Sequence, residues 1–217
     1  MASKEILRDL RQDYGEKFLE IDQMLPDPVT QLQEWFDEAV RTEGEIEPNA
    51  MTLATVDATG QPSARVVLLK EILDGELIYF TNYHSRKGRE LQTNPKCTVV
   101  FWWRMMHRQV RVEGTVRKVD ESYSKDYFRT RPIGSQLGAI VSPQSAVIPS
   151  RQVLIDALKE EEKKLSPGQL PIKPIHWGGY AIKPHWFEFW QGHTNRLHDR
   201  FQYRQQGSDW IIERLAP

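Results

Sequence analysis

The segment FWQGHTNRLHDRFQYR, residues 189–204, sets Arg196, His198 and Arg200 at every second position among aromatic side chains. Residues two apart share one face of a β-strand, so an extended segment would line up three cation-capable groups over roughly 13 Å. Such a row repels itself unless an anion meets it.

Three further clusters could hold anionic groups. FTNYHSRKGRE places Arg86 and Lys87 in the first turn of a helix expected to start at Ser85. Free N–H groups and the helix dipole attract phosphate there, whereas cations in a first turn disfavour the helix itself. A solvated basic helix start accounts for the pair equally well. RVVLLK puts Arg65 and Lys70 at the ends of an apolar strand. Five residues apart, they point to opposite faces unless a bulge or strand end intervenes, and snorkelling termini are the plainer reading. YFRTRPIGSQ supplies Tyr127, Arg131 and Ser135 at spacings of four, with Gln144 and Ser145 nearby. A phenol, a guanidinium and a hydroxyl suit a phosphate, and they also suit an ordinary helix end.

The elements that must carry these groups are mostly strands. MTLATV, SARVVLLK, ELIYFTN, CTVVFWW and RQVRVEGTVRKV are β-rich runs, the first three separated by the turn chemistry of DATG and LDG. Strands so closely joined predict an antiparallel sheet closing toward a barrel. WGGYAIKP, WFEFWQG, RLHDRFQYR and DWIIERL return to β structure at the end of the chain. Helices are predicted after Asp27-Pro28, with Val29, Leu32, Phe36, Ala39 and Val40 on the buried face, and after Ser85, Asp120 and Ser150. PIGSQLGAIVSPQSAVIP reads as a long functional loop, and the first 25 residues as a mobile polar arm with a short helix. One domain is the expected count.

Composition narrows the function. Lys plus Arg is 29 against 30 Asp plus Glu, a net charge of −1, which argues against a nucleic-acid coat. A single cysteine, Cys97, allows no intramolecular disulfide and no cysteine metal cluster. With no signal-peptide core and no apolar run of membrane length, a cytoplasmic protein is expected, with no membrane partner. The histidines lack metal-ligand spacing, and neither HExxH, GxSxG, a Walker motif nor a dinucleotide glycine pattern is present. What remains is several basic, hydroxyl-rich patches and seven tryptophans, as expected for multiple phosphate groups and a flat aromatic ligand.

RVVLLK, FTNYHSRKGRELQTNP, RQVRVEG, YFRTRPIGSQLGA, SPQS, FEFWQG and RLHDR occur in this order. Together they resemble the pyridoxine (pyridoxamine) 5′-phosphate oxidase family, from about Arg11 to the C-terminal ERLAP. The resemblance implies a mainly β fold, the FMN-binding split β-barrel with flanking helices. It also implies a homodimer with FMN at the subunit interface. The implied reaction oxidises pyridoxamine or pyridoxine 5′-phosphate to pyridoxal 5′-phosphate, with O2 reduced to H2O2.

Carried over by position, the resemblance implies flavin contacts at Arg65, Val66, Val67, Leu68, Leu69, Lys70, Phe80 and Thr81. Further contacts fall at Arg86, Lys87, Gln109, Gln144, Ser145, Trp190 and Arg200. The substrate phosphate is assigned to Lys70, Tyr127, Arg131 and Ser135. Arg196 and His198 fall at the substrate ring as the catalytic pair, with Arg11 and Tyr14 closing over it. His198 is either a proton acceptor or an orienting group. Other readings are another split-barrel flavin oxidoreductase, or a non-catalytic carrier of FMN or pyridoxal phosphate.

Overall fold

The computed structural model describes residues 14, 15 and 17–217. The chain forms two compact units, each assembled from separate segments. Three strands run through both: β5 (Lys96–Trp103), β6 (Arg108–Lys118) and β7 (Trp177–Gln191). No helix among the described residues is long and apolar enough to cross a membrane.

The strand-rich unit comprises Ala50–Val99 and Glu113–Pro184. It adds β1 (Ala50–Val56), β2 (Pro62–Leu68), β3 (Glu71–Leu73) and β4 (Glu76–Asn82). Hydrogen bonding orders the strands β2-β1-β5-β6-β7-β4-β3. The predicted turns close as their chemistry requires. Asp57 Oδ1 accepts from the backbone N–H groups of Thr59 and Gln61, at 2.8 and 3.0 Å, and so closes the β1–β2 hairpin. Asp74 and Gly75, at φ 50° and 77°, make the two-residue β3–β4 turn, whose left-handed backbone matches strand twist. Leu53, Leu77, Val99 and Ile182 are fully buried in this unit.

Four helices flank these strands: α2 (Arg86–Thr93), α3 (Glu121–Thr130), α4 (Ile133–Val141) and α5 (Arg151–Lys163). Ser85 caps α2 by accepting from the Gly88 N–H at 3.3 Å. A side chain at Gly88 would meet the Tyr83 carbonyl oxygen at 2.0 Å, so only glycine lets the helix start so close to the end of β4. The segment after Pro132, expected as a loop, instead forms α4 over its first half. Pro132 stands at the N-cap, where it does no harm, Pro143 and Pro149 fall beyond the helix, and Leu137 anchors the helix by burial despite its glycines.

The terminal unit comprises, among the described residues, 14, 15 and 17–49, Val100–Val112 and His185–Pro217. It holds α1 (Pro28–Arg41) and an antiparallel meander of β7 with β8 (Asp199–Gln206) and β9 (Asp209–Leu215). Asp27 caps α1 through the Thr30 N–H at 2.7 Å. Leu32, Trp35 and Ala39 form its buried face, with Trp35 edge-on to Phe189 at 5.1 Å. Val40, expected on that face, is exposed, because it lies one helical step (about 100°) beyond Ala39.

Candidate functional site

In the strand-rich unit a cavity of about 670 Å³ opens beside the end of β4. β2 lines it with Val66, Val67 and Leu68, and the next segment with Lys70. Leu69 turns inward and is buried, which is how the strand end brings Lys70 to the same wall. Phe80 and Thr81 come from β4, Tyr127 from α3, Arg131 from the α3–α4 junction, Ser135 from α4 and Gln144 from the segment beyond it. The Phe80 ring stacks on Tyr127 at 3.8 Å and faces Trp177 at 5.4 Å, giving an aromatic wall.

Two cations in this wall are short of countercharge. Lys87 is buried, and its Nζ donates to Thr81 Oγ1 at 3.1 Å and Gln144 Oε1 at 3.0 Å, both neutral. Burial and then the nearby Arg65 push its pKa down to about 8, against the opposing pull of Glu90. The Arg131 guanidinium lies 4.6 Å over the Trp177 ring. Its Nη1 is buried without a hydrogen-bond partner among the described residues. Burial lowers its pKa and Tyr127 opposes that, though an arginine stays charged at neutral pH. A half-buried guanidinium with an unpartnered, desolvated nitrogen is costly unless an anion offsets its charge. The donor set therefore fits a planar ligand carrying phosphate, in a volume within the usual range for bound small molecules.

Arg65 and Arg86 do not line this cavity. Both pair with Glu90, at 3.3 and 2.8 Å. Ser145, at φ 71°, is exposed just past Gln144.

The remaining predicted residues lie in the terminal unit. Tyr14 packs edge-on to His107, Trp190 and His198 at 5.0, 5.7 and 5.7 Å, and Trp190 lies 4.7 Å from His198. Gln109 is half-buried on β6. The expected strand row of Arg196, His198 and Arg200 does not exist as such. Asn195 and Arg196 have left-handed backbones at φ 56° and 64°, so the chain makes a short 3-10 turn and β8 begins only at Asp199. Arg196 is exposed on that turn. Arg200 donates through Nε and Nη2 to the two oxygens of buried Glu188, both at 3.0 Å. His198 Nδ1 accepts the His193 N–H at 3.1 Å, so the neutral ring carries its proton on Nε2. Burial, then Arg196, His193 and Arg200, lower its pKa, Asp199 opposing, so the neutral form dominates at pH 7. Arg11 lies outside the described residues.

Residues 36–164 match the sequence model of a family described as pyridoxamine 5′-phosphate oxidase. The chain belongs to that family. Residues 177–217 match the pyridoxine 5′-phosphate oxidase C-terminal dimerisation region. Over 212 residues the chain is 52% identical to the pyridoxine/pyridoxamine 5′-phosphate oxidase of Cupriavidus necator, covering 97% of this chain and 99% of that one. It is 51% identical to the enzyme of the same name from Acaryochloris marina, covering 97% and 95%. Among solved structures it resembles PhzG from Burkholderia lata in complex with tetrahydrophenazine-1-carboxylic acid, with TM-score 0.85, 30% identity and coverage of 93% and 99%. A pyridoxamine 5′-phosphate oxidase-related, FMN binding protein from Nostoc punctiforme superposes with TM-score 0.70 at 17% identity, covering 89% and 100%. The mainly β split-barrel class expected from the pyridoxamine 5′-phosphate oxidase resemblance is the class of this chain.

Sequence reasoning missed Trp177, Asn82 and Ser142 in the cavity wall, and Glu90 behind it. Trp177 carried a usable signal: the Gly178-Gly179 pair after it lets neighbours approach closely, since a Cβ on Gly178 would meet the Tyr83 hydroxyl at 2.2 Å. Glu90 carried none beyond its i+4 spacing from Arg86.

Proposed function

We propose that the protein oxidises pyridoxamine 5′-phosphate and pyridoxine 5′-phosphate to pyridoxal 5′-phosphate with FMN as cofactor. O2 is reduced to H2O2, and the amine substrate also takes up water and releases ammonia. The half-buried Arg131 guanidinium over Trp177, its Nη1 without a hydrogen-bond partner among the described residues, carries this reading, in a chain about half identical to oxidases of that name. Lys70, Tyr127 and Ser135 line the same cavity and complete a phosphate clamp with it.

FMN is held by Arg65, Arg86 and Lys87 at its phosphate, and by the Val66–Leu69 stretch, Lys70, Phe80 and Thr81. Gln109, Gln144, Ser145, Trp190 and Arg200 complete its binding set. When bound, FMN supplies the two-electron acceptor for the hydride leaving substrate C4′ and the route onward to O2. Arg196 holds the substrate ring. His198, neutral and protonated on Nε2, serves as a hydrogen-bond donor and orienting group rather than as the base. Arg11 and Tyr14 close over the ring.

The protein is a homodimer, as its dimerisation region supports, with FMN at the subunit interface. It acts as one functional domain, since three strands run unbroken through both compact units. It works in the cytoplasm, where its one buried cysteine stays reduced.

The likeness to PhzG raises a second reading, oxidation of a reduced fused-ring carboxylate. A single comparison separates the two. Purified protein with FMN and O2 is offered pyridoxamine 5′-phosphate or a reduced phenazine carboxylate, and peroxide and product absorbance are followed. Turnover of the phosphate ester is expected. Turnover of the fused ring alone would overturn the proposal, and FMN binding without any turnover would make the protein a carrier.

A further inference from the structure

Two of the three cations assigned above to the FMN phosphate, Arg65 and Arg86, are tied to one carboxylate. Glu90 lies on α2, four residues after Arg86, and its side chain is only 5% exposed. Its Oε1 accepts Arg86 Nε at 2.8 Å and its Oε2 accepts Arg65 Nη2 at 3.3 Å. Thr55 Oγ1 and Ser63 Oγ, a directly paired couple on β1 and β2, also donate to Oε2, the serine at 2.7 Å. The same two hydroxyls accept from the Arg65 guanidinium. Every group in this ring therefore has its donor and acceptor directions fixed by the others. Burial pushes the Glu90 pKa up, but the bonds from Thr55, Ser63 and Arg86 and the charge of Arg65 bring it down to about 2. It is ionised at every working pH.

We infer that Glu90 is a positioning residue for the flavin phosphate, orienting Arg65 and Arg86 and offsetting the charge they share with the neighbouring Lys87. The inference rests on the FMN assignment above. A carboxylate here looks wrong for anion binding, since its charge repels phosphate. Without it, however, Arg65, Arg86 and Lys87 would repel one another and the guanidinium groups would lose their shared acceptor. The charged groups acting on Lys87 among the described residues are Arg65 from β2, which lowers its pKa, and Glu90 from its own helix, which raises it. From β4 and the segment after α4 it receives only neutral Thr81 and Gln144.

The two effects of Glu90 predict opposite outcomes for Glu90→Gln. Loss of a repelling charge alone would tighten FMN binding. Loss of positioning weakens it, by about tenfold or more if one charge-assisted hydrogen bond to the phosphate is misplaced. The test titrates apo-protein with FMN by flavin fluorescence quenching between pH 7 and 9, where the phosphate is already a dianion. Wild-type affinity is expected to fall as pH rises through the Lys87 pKa of about 8. In Glu90→Gln, affinity at pH 7 is lower and the fall begins at lower pH, because the group that raised the Lys87 pKa is gone. Tighter or unchanged binding would overturn the inference. So would weaker binding with the pH dependence unmoved, which marks a merely structural role. Should Glu90→Gln fail to fold, Glu90→Asp keeps the charge but retracts the carboxylate by one methylene. It is then expected to weaken FMN with the pH dependence in its wild-type place, and wild-type affinity would overturn the inference. Wild-type protein that binds no FMN would overturn the cofactor assignment itself, a result distinct from any of these.

Discussion

Replacing Arg131 with alanine isolates the feature on which the functional reading rests. The guanidinium is half-buried, lies 4.6 Å over Trp177 and has an Nη1 atom buried without a hydrogen-bond partner among the described residues. Part of its desolvation is therefore already in place before a substrate arrives, and a phosphate seated in the cavity gives the guanidinium an anionic partner. A hydrogen bond to a charged group is worth about 1.5–3 kcal/mol, so a single lost contact costs about 10- to 150-fold in kcat/KM for the phosphate ester. A lost two-pronged contact costs more. The unphosphorylated alcohol makes no such contact and should lose less than about threefold. The ratio of kcat/KM for pyridoxine 5′-phosphate and pyridoxine should thus fall by about 3- to 150-fold in Arg131→Ala. Arg131→Lys keeps the charge without the planar fork and should restore only part of the ratio. The assay follows peroxide for both substrates at saturating FMN, with bound flavin measured by absorbance to confirm an intact site. A ratio within twofold of wild type would show that Arg131 merely ends a helix.

Four other variants have expected outcomes. Arg196→Ala, on an exposed turn, should lower kcat/KM while leaving FMN bound. Arg200→Ala, which strips one partner from buried Glu188, should instead weaken FMN by about tenfold; equal flavin loss in both would refute this division. Gly88→Ala places a methyl 2.0 Å from the Tyr83 carbonyl oxygen and should cost about 1–3 kcal/mol, read as a lower thermal midpoint in apo-protein, with an unchanged midpoint counting against it. His198→Asn, which keeps a donor but cannot act as a base near neutrality, should retain much of the turnover; collapse to the level of His198→Ala would favour the proton-acceptor role instead.

Much of the architecture was legible because its signals are local. Asp27-Pro28 and Ser85 cap the helices they were expected to cap. The DATG and LDG turns close hairpins whose strand partners follow at once in sequence. The basic and hydroxyl residues of YFRTRPIGSQ were recognisable as a set because three of them repeat at one helical interval, and Tyr127, Arg131 and Ser135 do line one cavity. The order of the motifs was enough to point to the family.

Tertiary structure decided what depends on residues distant in sequence. Alternation alone put Arg196, His198 and Arg200 on one strand face. The left-handed backbone at Asn195 and Arg196 ended that row, because a conformation near φ 60° cannot continue a β-strand. The orientation of Arg65 is set by Glu90, 25 residues away, and by hydroxyls on two paired strands. Likewise, no sequence pattern could show that a lysine would sit buried with its pKa near 8, or that one guanidinium nitrogen would be left without a partner. Residue types and spacings are properties of the chain, and they set which chemistry is available. Burial, countercharge and unmet hydrogen bonds arise only when distant segments pack, and they set which of those residues is poised to bind.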